Sequence, residues 1–129
     1  MVSETGKKVL VMDDEEIVAD IAQQMLKYLG YEAHIAMTGE QAIIDYRKAF
    51  MSGDPFALVI MDLNIPQGMG GVEAVKHILE IDKNAKVVVS SGYSGDPIMR
   101  EYRAYGFAAS IGKPFDIKGL ETVIQDALA

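Results

Sequence analysis

Residues 56–67 read FALVIMDLNIPQ, and the fold turns on this stretch. Phe56 to Met61 form an unbroken apolar run containing Val and Ile. Such a run reads as a strand buried on both faces, as inside a parallel sheet. Asp62 stands where the run stops, with Asn64 and Pro66 just beyond. A carboxylate at the end of a buried strand has to serve something.

Four similar runs accompany it. The predicted strands are 7–12, 31–36, 56–61, 86–90 and 107–111. Helical periodicity fills the gaps. In 15–29, Ile17, Ile21 and Met25 repeat every four residues, flanked by Val18, Leu26 and Leu29, and Gly30 supplies the stop. Thr38 and Gln41 have capping-box spacing ahead of a helix with Ala42, Ile43, Tyr46 and Phe50 on one face. A third helix carries Val72, Val75, Ile78 and Leu79. Asp96-Pro97 reads as an N-cap and first-turn proline. Asp116 caps the last helix, with Ile117, Leu120, Ile124 and Leu128 inward, although Gly119 weakens it by about 1 kcal/mol relative to Ala. Five β-α units in succession predict an α/β fold, a parallel sheet with helices on both faces.

Composition sets the bounds. The chain has 129 residues, enough for one domain with a real core. Residues 1–6 read as a loose tail. Half the residues are hydrophobic and 24% charged, which argues against disorder. The net charge of −7 disfavours direct nucleic-acid binding and adhesion to anionic membranes, and it allows a cation site. Without cysteine there is no disulfide, thiolate chemistry or Cys-ligated zinc. No apolar h-region or membrane-length run is visible, so no membrane insertion and a cytoplasmic location are expected.

In open α/β sheets, ligands bind beyond the carboxyl ends of the strands. Asp13, Asp14, Glu15 and Glu16 follow strand one, and Asp62 and Asn64 follow strand three. Ser90, Ser91 and Gly92 follow strand four, and Lys113-Pro114 follows strand five. Each has an ordinary reading alone: helix cap, loop cap, turn residue or solvated lysine. Their joint fall on one sheet edge does not. If strands one and three are neighbours, Asp13, Asp14 and Asp62 converge. Two such charges about 4 Å apart repel by about 4 kcal/mol at an effective dielectric of about 20. A hard divalent cation such as Mg²⁺ suits these oxygen donors, and Lys113 offers a second positive charge. Pro114 permits a cis bond after Lys113, and Gly92 leaves room for a ligand to approach the backbone.

At these residues the sequence resembles the receiver domains of response regulators, the CheY-like family. The pieces that carry the resemblance are VLVMDDEE, LVIMDLNIP, VVVSSGYS and GKPF, spread over about 7–128. The resemblance implies one receiver domain over 7–129, a flavodoxin-like doubly wound (βα)₅ sheet of order 2-1-3-4-5. It implies that Asp62 accepts a phosphoryl group from a histidine kinase or His-phosphotransfer domain. Asp14 and Asp62 would hold Mg²⁺ directly, with the Asn64 backbone carbonyl and with Asp13 through water. Ser91, rather than Ser90, aligns with the family's Ser/Thr, and Lys113 with its phosphoryl-pairing lysine. Asp62 then sits at a strand end because a nucleophile must be rigid yet reach solvent. An output partner is expected on about 96–128.

Two departures stand out. Ser110 occupies the place of the usual switch aromatic, which leaves Tyr93, Tyr102 or Tyr105 as substitutes. IPQGMGG is one residue longer than the usual loop. That loop resembles receivers of hybrid sensory kinases. The chain ends with the fifth helix, so an output domain is not expected within it. His34 and His77 read as structural rather than phosphate-carrying. Two other functions compete. One is a phosphate-independent interaction domain on the same fold. The other is a Mg²⁺-dependent phosphohydrolase, whose haloacid-dehalogenase-like form wants an acid where Asn64 stands.

Overall fold

A computed structural model describes residues 7–63, 69–93 and 95–128. Five strands form one parallel sheet: β1 (Lys8–Met12), β2 (Glu32–Ala36), β3 (Leu58–Asp62), β4 (Val87–Ser91) and β5 (Ala109–Gly112). Their order is 2-1-3-4-5, as expected. The helices are α1 (Glu16–Tyr28), α2 (Gly39–Met51), α3 (Gly71–Ile81), α4 (Pro97–Arg100) and α5 (Ile117–Leu128). The expected fourth helix is only four residues long and continues as a 3₁₀ turn over Tyr102–Tyr105. Gly106, at φ 98°, ends that turn.

β3 is buried at every position, which is why its sequence shows no polar alternation. Its side chains divide between two cores. Val59 and Met61 join Leu10, Met12, Val87 and Val89 under α2 and α3. Leu58 and Ile60 join Val9, Val11 and Val88 under α1 and α5. The order reverses between β1 and β3, where the chain first winds to one side and then to the other. That reversal leaves a crevice above the carboxyl ends of those two strands.

Local signals hold where a cap can be checked. Thr38 Oγ1 accepts from Gln41 N at 3.1 Å, but the Gln41 side chain donates to Asp45, so only half of the capping box forms. Asp96 Oδ1 accepts from Ile98 N, and Asp116 Oδ1 from Gly119 N. A Cβ on Gly119 would lie 3.0 Å from that capping oxygen, which explains a glycine inside the helix.

Three helix faces differ from their sequence patterns. On α1 the core is formed by Ala19, Ala22 and Leu26, while Ile17 is 75% exposed and Ile21 is also exposed. Small alanines face the sheet because α1 packs close to it, so the bulkier stripe turns outward. On α2, Ala49 is buried and Phe50 is exposed. On α5, Val123 and Ala127 point inward with Leu120 and Ile124, Leu128 is partly buried, and Ile117 lies exposed in the first turn.

This assignment of α1 is open to a direct check. Leu26→Ala should cost about 2–5 kcal/mol of stability in urea unfolding. Ile17→Ser and Ile21→Ser should each stay within about 0.5 kcal/mol of the parent.

Candidate functional site

The site forms where β1, β3, β4 and β5 end together. Asp13 follows β1, and its backbone N–H donates to the Ala36 carbonyl at 3.0 Å, which ties it to β2. Asp62 is the last residue of β3, and Leu63 N donates to the Ser90 carbonyl at 2.8 Å, holding the strand tip against β4. Lys113 N donates to the Ser91 carbonyl at 2.9 Å, so the β5 tip is held in the same way. The Lys113-Pro114 bond is cis.

These anchors bring together residues far apart in sequence. One carboxylate oxygen from each of Asp13, Asp14 and Asp62 lies within 4.8 Å of the other two. Asp13 and Asp62 are only 4% and 3% exposed, and Asp14 is half-buried. Lys113 Nζ sits 2.8 Å from Asp13 Oδ2 and 3.3 Å from Asp62 Oδ1. Burial alone would lower the Lys113 pKa. The hydrogen bond to Asp13 and the charges of Asp62 and Asp13 outweigh it, so the net shift is upward. The lysine stays charged at neutral pH.

One lysine against three carboxylates leaves excess negative charge in a poorly solvated crevice. An all-oxygen donor set with surplus charge fits a hard divalent cation such as Mg²⁺. Asp13 is already engaged at both oxygens, since Oδ1 accepts from Glu15 N at 2.9 Å and Oδ2 takes Lys113. That arrangement suits an outer role for Asp13 and leaves Asp14 and Asp62 as the closer donors. Asn64, expected to add a backbone carbonyl, lies outside the described residues.

Close backbone packing supports the Asp62 end. A Cβ on Gly71 would lie 2.9 Å from the Asp62 carbonyl oxygen, so the first turn of α3 can seat there only without a side chain. On the next strand, Ser91 is fully buried and its Oγ accepts from Tyr93 N at 3.1 Å. Gly92 has open space around its missing Cβ and borders the crevice, as expected for a ligand-facing position.

A cavity of about 360 Å³ opens above Asp62 and Lys113. Glu15, Val18, Ile21, Pro114 and Phe115 form much of its wall. Ile21, part of the four-residue repeat of α1, borders this cavity and is exposed instead of joining the core.

The substitutes for the missing aromatic behave differently from one another. Ser110 is half-buried on β5. Tyr93 is 66% exposed, whereas Tyr102, Tyr105 and Ile98 pack against the α2–α3 core. His34 pairs with Glu32 and His77 with Glu80, both at exposed positions, in keeping with structural roles.

Comparison with known proteins agrees with this fold. The family model of the response regulator receiver domain matches residues 9–125. Sporulation initiation phosphotransferase F of Bacillus subtilis is 27% identical over 123 residues, spanning 95% of this chain and 94% of that protein. Chemotaxis protein CheY of Treponema pallidum is 37% identical over 112 residues, 86% of this chain and 75% of that protein. Among solved structures, chemotaxis protein CheY4 of Vibrio cholerae superposes with a TM-score of 0.84 at 27% identity, covering 96% of this chain and all of that one.

The lysine should matter most when no metal is bound. Lys113→Ala should lower the stability of the chelator-treated chain by up to about 3–5 kcal/mol, the cost of stranding buried charge. Added Mg²⁺ should restore part of the loss. The native pKa of Lys113 lies above its unfolded value, so the pair contributes fully below about pH 10.4 and fades as pH rises through the native value. Urea midpoints of parent and variant should therefore keep a constant gap from neutral pH upward and converge only in strong alkali.

Proposed function

The chain belongs to the response regulator receiver family, and from that premise we propose that Asp62 takes up a phosphoryl group in a two-component phosphorelay. Receivers are signalling modules that work with kinases or phosphotransfer proteins and with output domains, and they bind Mg²⁺ at an acidic pocket. The single observation that carries the reading for this chain is the convergence of Asp13, Asp14 and Asp62, with Lys113 against Asp13 and Asp62, where Asp62 and Lys113 line an open cavity.

An Asp62 oxygen attacks the phosphorus of a phosphohistidine or an acyl phosphate. The O–P bond forms as the P–N or P–O bond to the donor breaks, and the imidazole or carboxylate leaves with the bonding pair. Asp14 and Asp62, with the Asn64 carbonyl that the family resemblance adds and with Asp13 in an outer role, would hold Mg²⁺, which would supply charge neutralisation for the transferring group. Lys113 gives up its contact with Asp62 Oδ1 and turns to a phosphoryl oxygen. Ser91 binds another, which draws on the hydroxyl that now caps Tyr93 N. Hydrolysis returns the carboxylate. The domain catalyses only this change in itself.

The rim suggests how a donor arrives. Val18, Ile21, Pro114 and Phe115 border the opening to Asp62, and Ile17 is exposed one turn before Ile21 on the same helix. A protein bearing phosphohistidine would rest there to bring phosphorus within reach. That continuity gives the outward stripe of α1 a purpose that core packing does not. The response is read out on about 96–128, where the short α4 and the half-buried tyrosines lie. Residues 7–129 act as one receiver unit, in the cytoplasm where histidine kinases phosphorylate their partners.

Mass spectrometry after acetyl phosphate treatment tests the reading. The intact chain should gain one phosphoryl group with Mg²⁺ and none with chelator, and Asp62→Asn should gain none. Uptake that persists in Asp62→Asn overturns the assignment. Multiple-turnover hydrolysis of a phosphomonoester would favour the phosphohydrolase instead, and failure to bind Mg²⁺ the phosphate-independent interaction domain.

Two further variants separate charge from docking. Lys113→Ala should still bind Mg²⁺, yet its phosphorylated form should lack the tyrosine fluorescence change of the parent. The double variant Ile17→Ser/Ile21→Ser should react normally with acetyl phosphate. With a phosphohistidine protein it should react about tenfold more slowly, as expected when a pair of docking contacts worth about 1.4 kcal/mol is lost.

A further inference from the structure

The first turn of α2 reaches beyond its own helix. An acid there, such as Glu40, is favoured by the helix dipole wherever its side chain points. Here Glu40 Oε1 accepts from the Met69 backbone N–H at 3.1 Å, 29 positions along the chain. That bond, and next the one from its own backbone N–H, hold the Glu40 carboxyl below its ordinary value. Beside it, a Cβ on Gly39 would lie 2.5 Å from the Met69 carbonyl oxygen, so α2 begins directly against Met69. One helix end thus touches both the N–H and the carbonyl of a single residue.

Met69 stands just ahead of α3. Gly70 is the N-cap of that helix and Gly71 its first residue. A Cβ on Gly71 would meet the Asp62 carbonyl oxygen at 2.9 Å and Met61 Cγ at 3.4 Å. Residues 69–71 therefore lie between the start of α2 and the tip of β3, and neither contact has room for a side chain on its glycine. Close-packed backbone transmits displacement instead of absorbing it. A shift of Met69 is passed to Gly71, and through Gly71 to the backbone of Asp62.

We propose that Glu40 is a positioning residue for Asp62: it holds Met69, Met69 sets where α3 starts, and the start of α3 sets the Asp62 backbone. This role rests on the phospho-acceptor function above. The bond from Met69 to Glu40 is exposed, so water can replace the carboxylate and the bond adds little to stability. Its effect is on placement. Transfer to Asp62 needs one carboxylate oxygen aligned with the phosphorus, and small displacements of a reacting group slow such steps steeply.

The test compares Glu40→Gln, Glu40→Asp and Glu40→Ala with the parent. Gln keeps the reach and an acceptor oxygen without the charge, Asp keeps the charge one methylene short, and Ala keeps neither. In metal-free protein, the Asp62 amide resonance should move in Glu40→Ala and Glu40→Asp and hold its place in Glu40→Gln. With saturating Mg²⁺ and acetyl phosphate, Glu40→Ala and Glu40→Asp should be phosphorylated about tenfold more slowly, and Glu40→Gln within about twofold of the parent. Urea midpoints should stay close to the parent's throughout. An unmoved Asp62 resonance or an unchanged rate in Glu40→Ala overturns this role alone. A Glu40→Asp that matches the parent while Glu40→Gln matches Glu40→Ala also overturns it, since charge at the helix start would then be what matters. A parent chain that takes up no phosphoryl group overturns the phospho-acceptor reading and this role together.

Discussion

The ammonium of Lys113 lies between Asp13 and Asp62, and the arrangement of the strand ends depends on it. Three carboxylates converge on one crevice, and two of them are almost fully buried. Without a positive partner, each close pair would repel by about 4 kcal/mol at an effective dielectric of about 20. The lysine offsets part of that and leaves the rest for a divalent ion. The surplus negative charge that remains suits a hard cation.

Rigid backbone contacts make that balance possible. The Asp13, Leu63 and Lys113 amides each donate to a neighbouring strand, so the three tips cannot drift apart to relieve repulsion. Gly71 lets α3 start against the Asp62 carbonyl, which closes the site on one side. On the other, α1 packs closely through Ala19 and Ala22 and turns Ile17 and Ile21 outward. One helix thus seals the core and lines the cavity above Asp62.

Much of the fold was legible because the signals were local or periodic. The five apolar runs, the Asp96 and Asp116 caps and the glycine stop after α1 each depend on residues within a turn of one another. The errors fell where a helix face was chosen by bulk. Ile17, Phe50 and Ile117 fit a 3.6-residue period, but the buried stripes run through Ala19 and Ala22 on α1, Ala49 on α2 and Leu120 and Val123 on α5. Periodicity gives the angle of a stripe to within about a residue, and packing distance selects which stripe is buried. The length of α4 was hidden for a similar reason, since a cap and a proline announce where a helix begins but not where it ends.

By itself the sequence determined which residues could hold charge and at which strand ends they stood, because β-α alternation assigns every junction to one edge. The identities of Asp13, Asp14, Asp62, Ser91 and Lys113 followed from that, together with the family resemblance. Only the tertiary structure decided that Lys113 contacts both Asp13 and Asp62, that Asp13 is committed at both oxygens, and that Ser90 pairs with Asp62 across the sheet. Those facts join residues as much as 100 positions apart. They depend on strand register and side-chain direction, which no local pattern in the chain encodes.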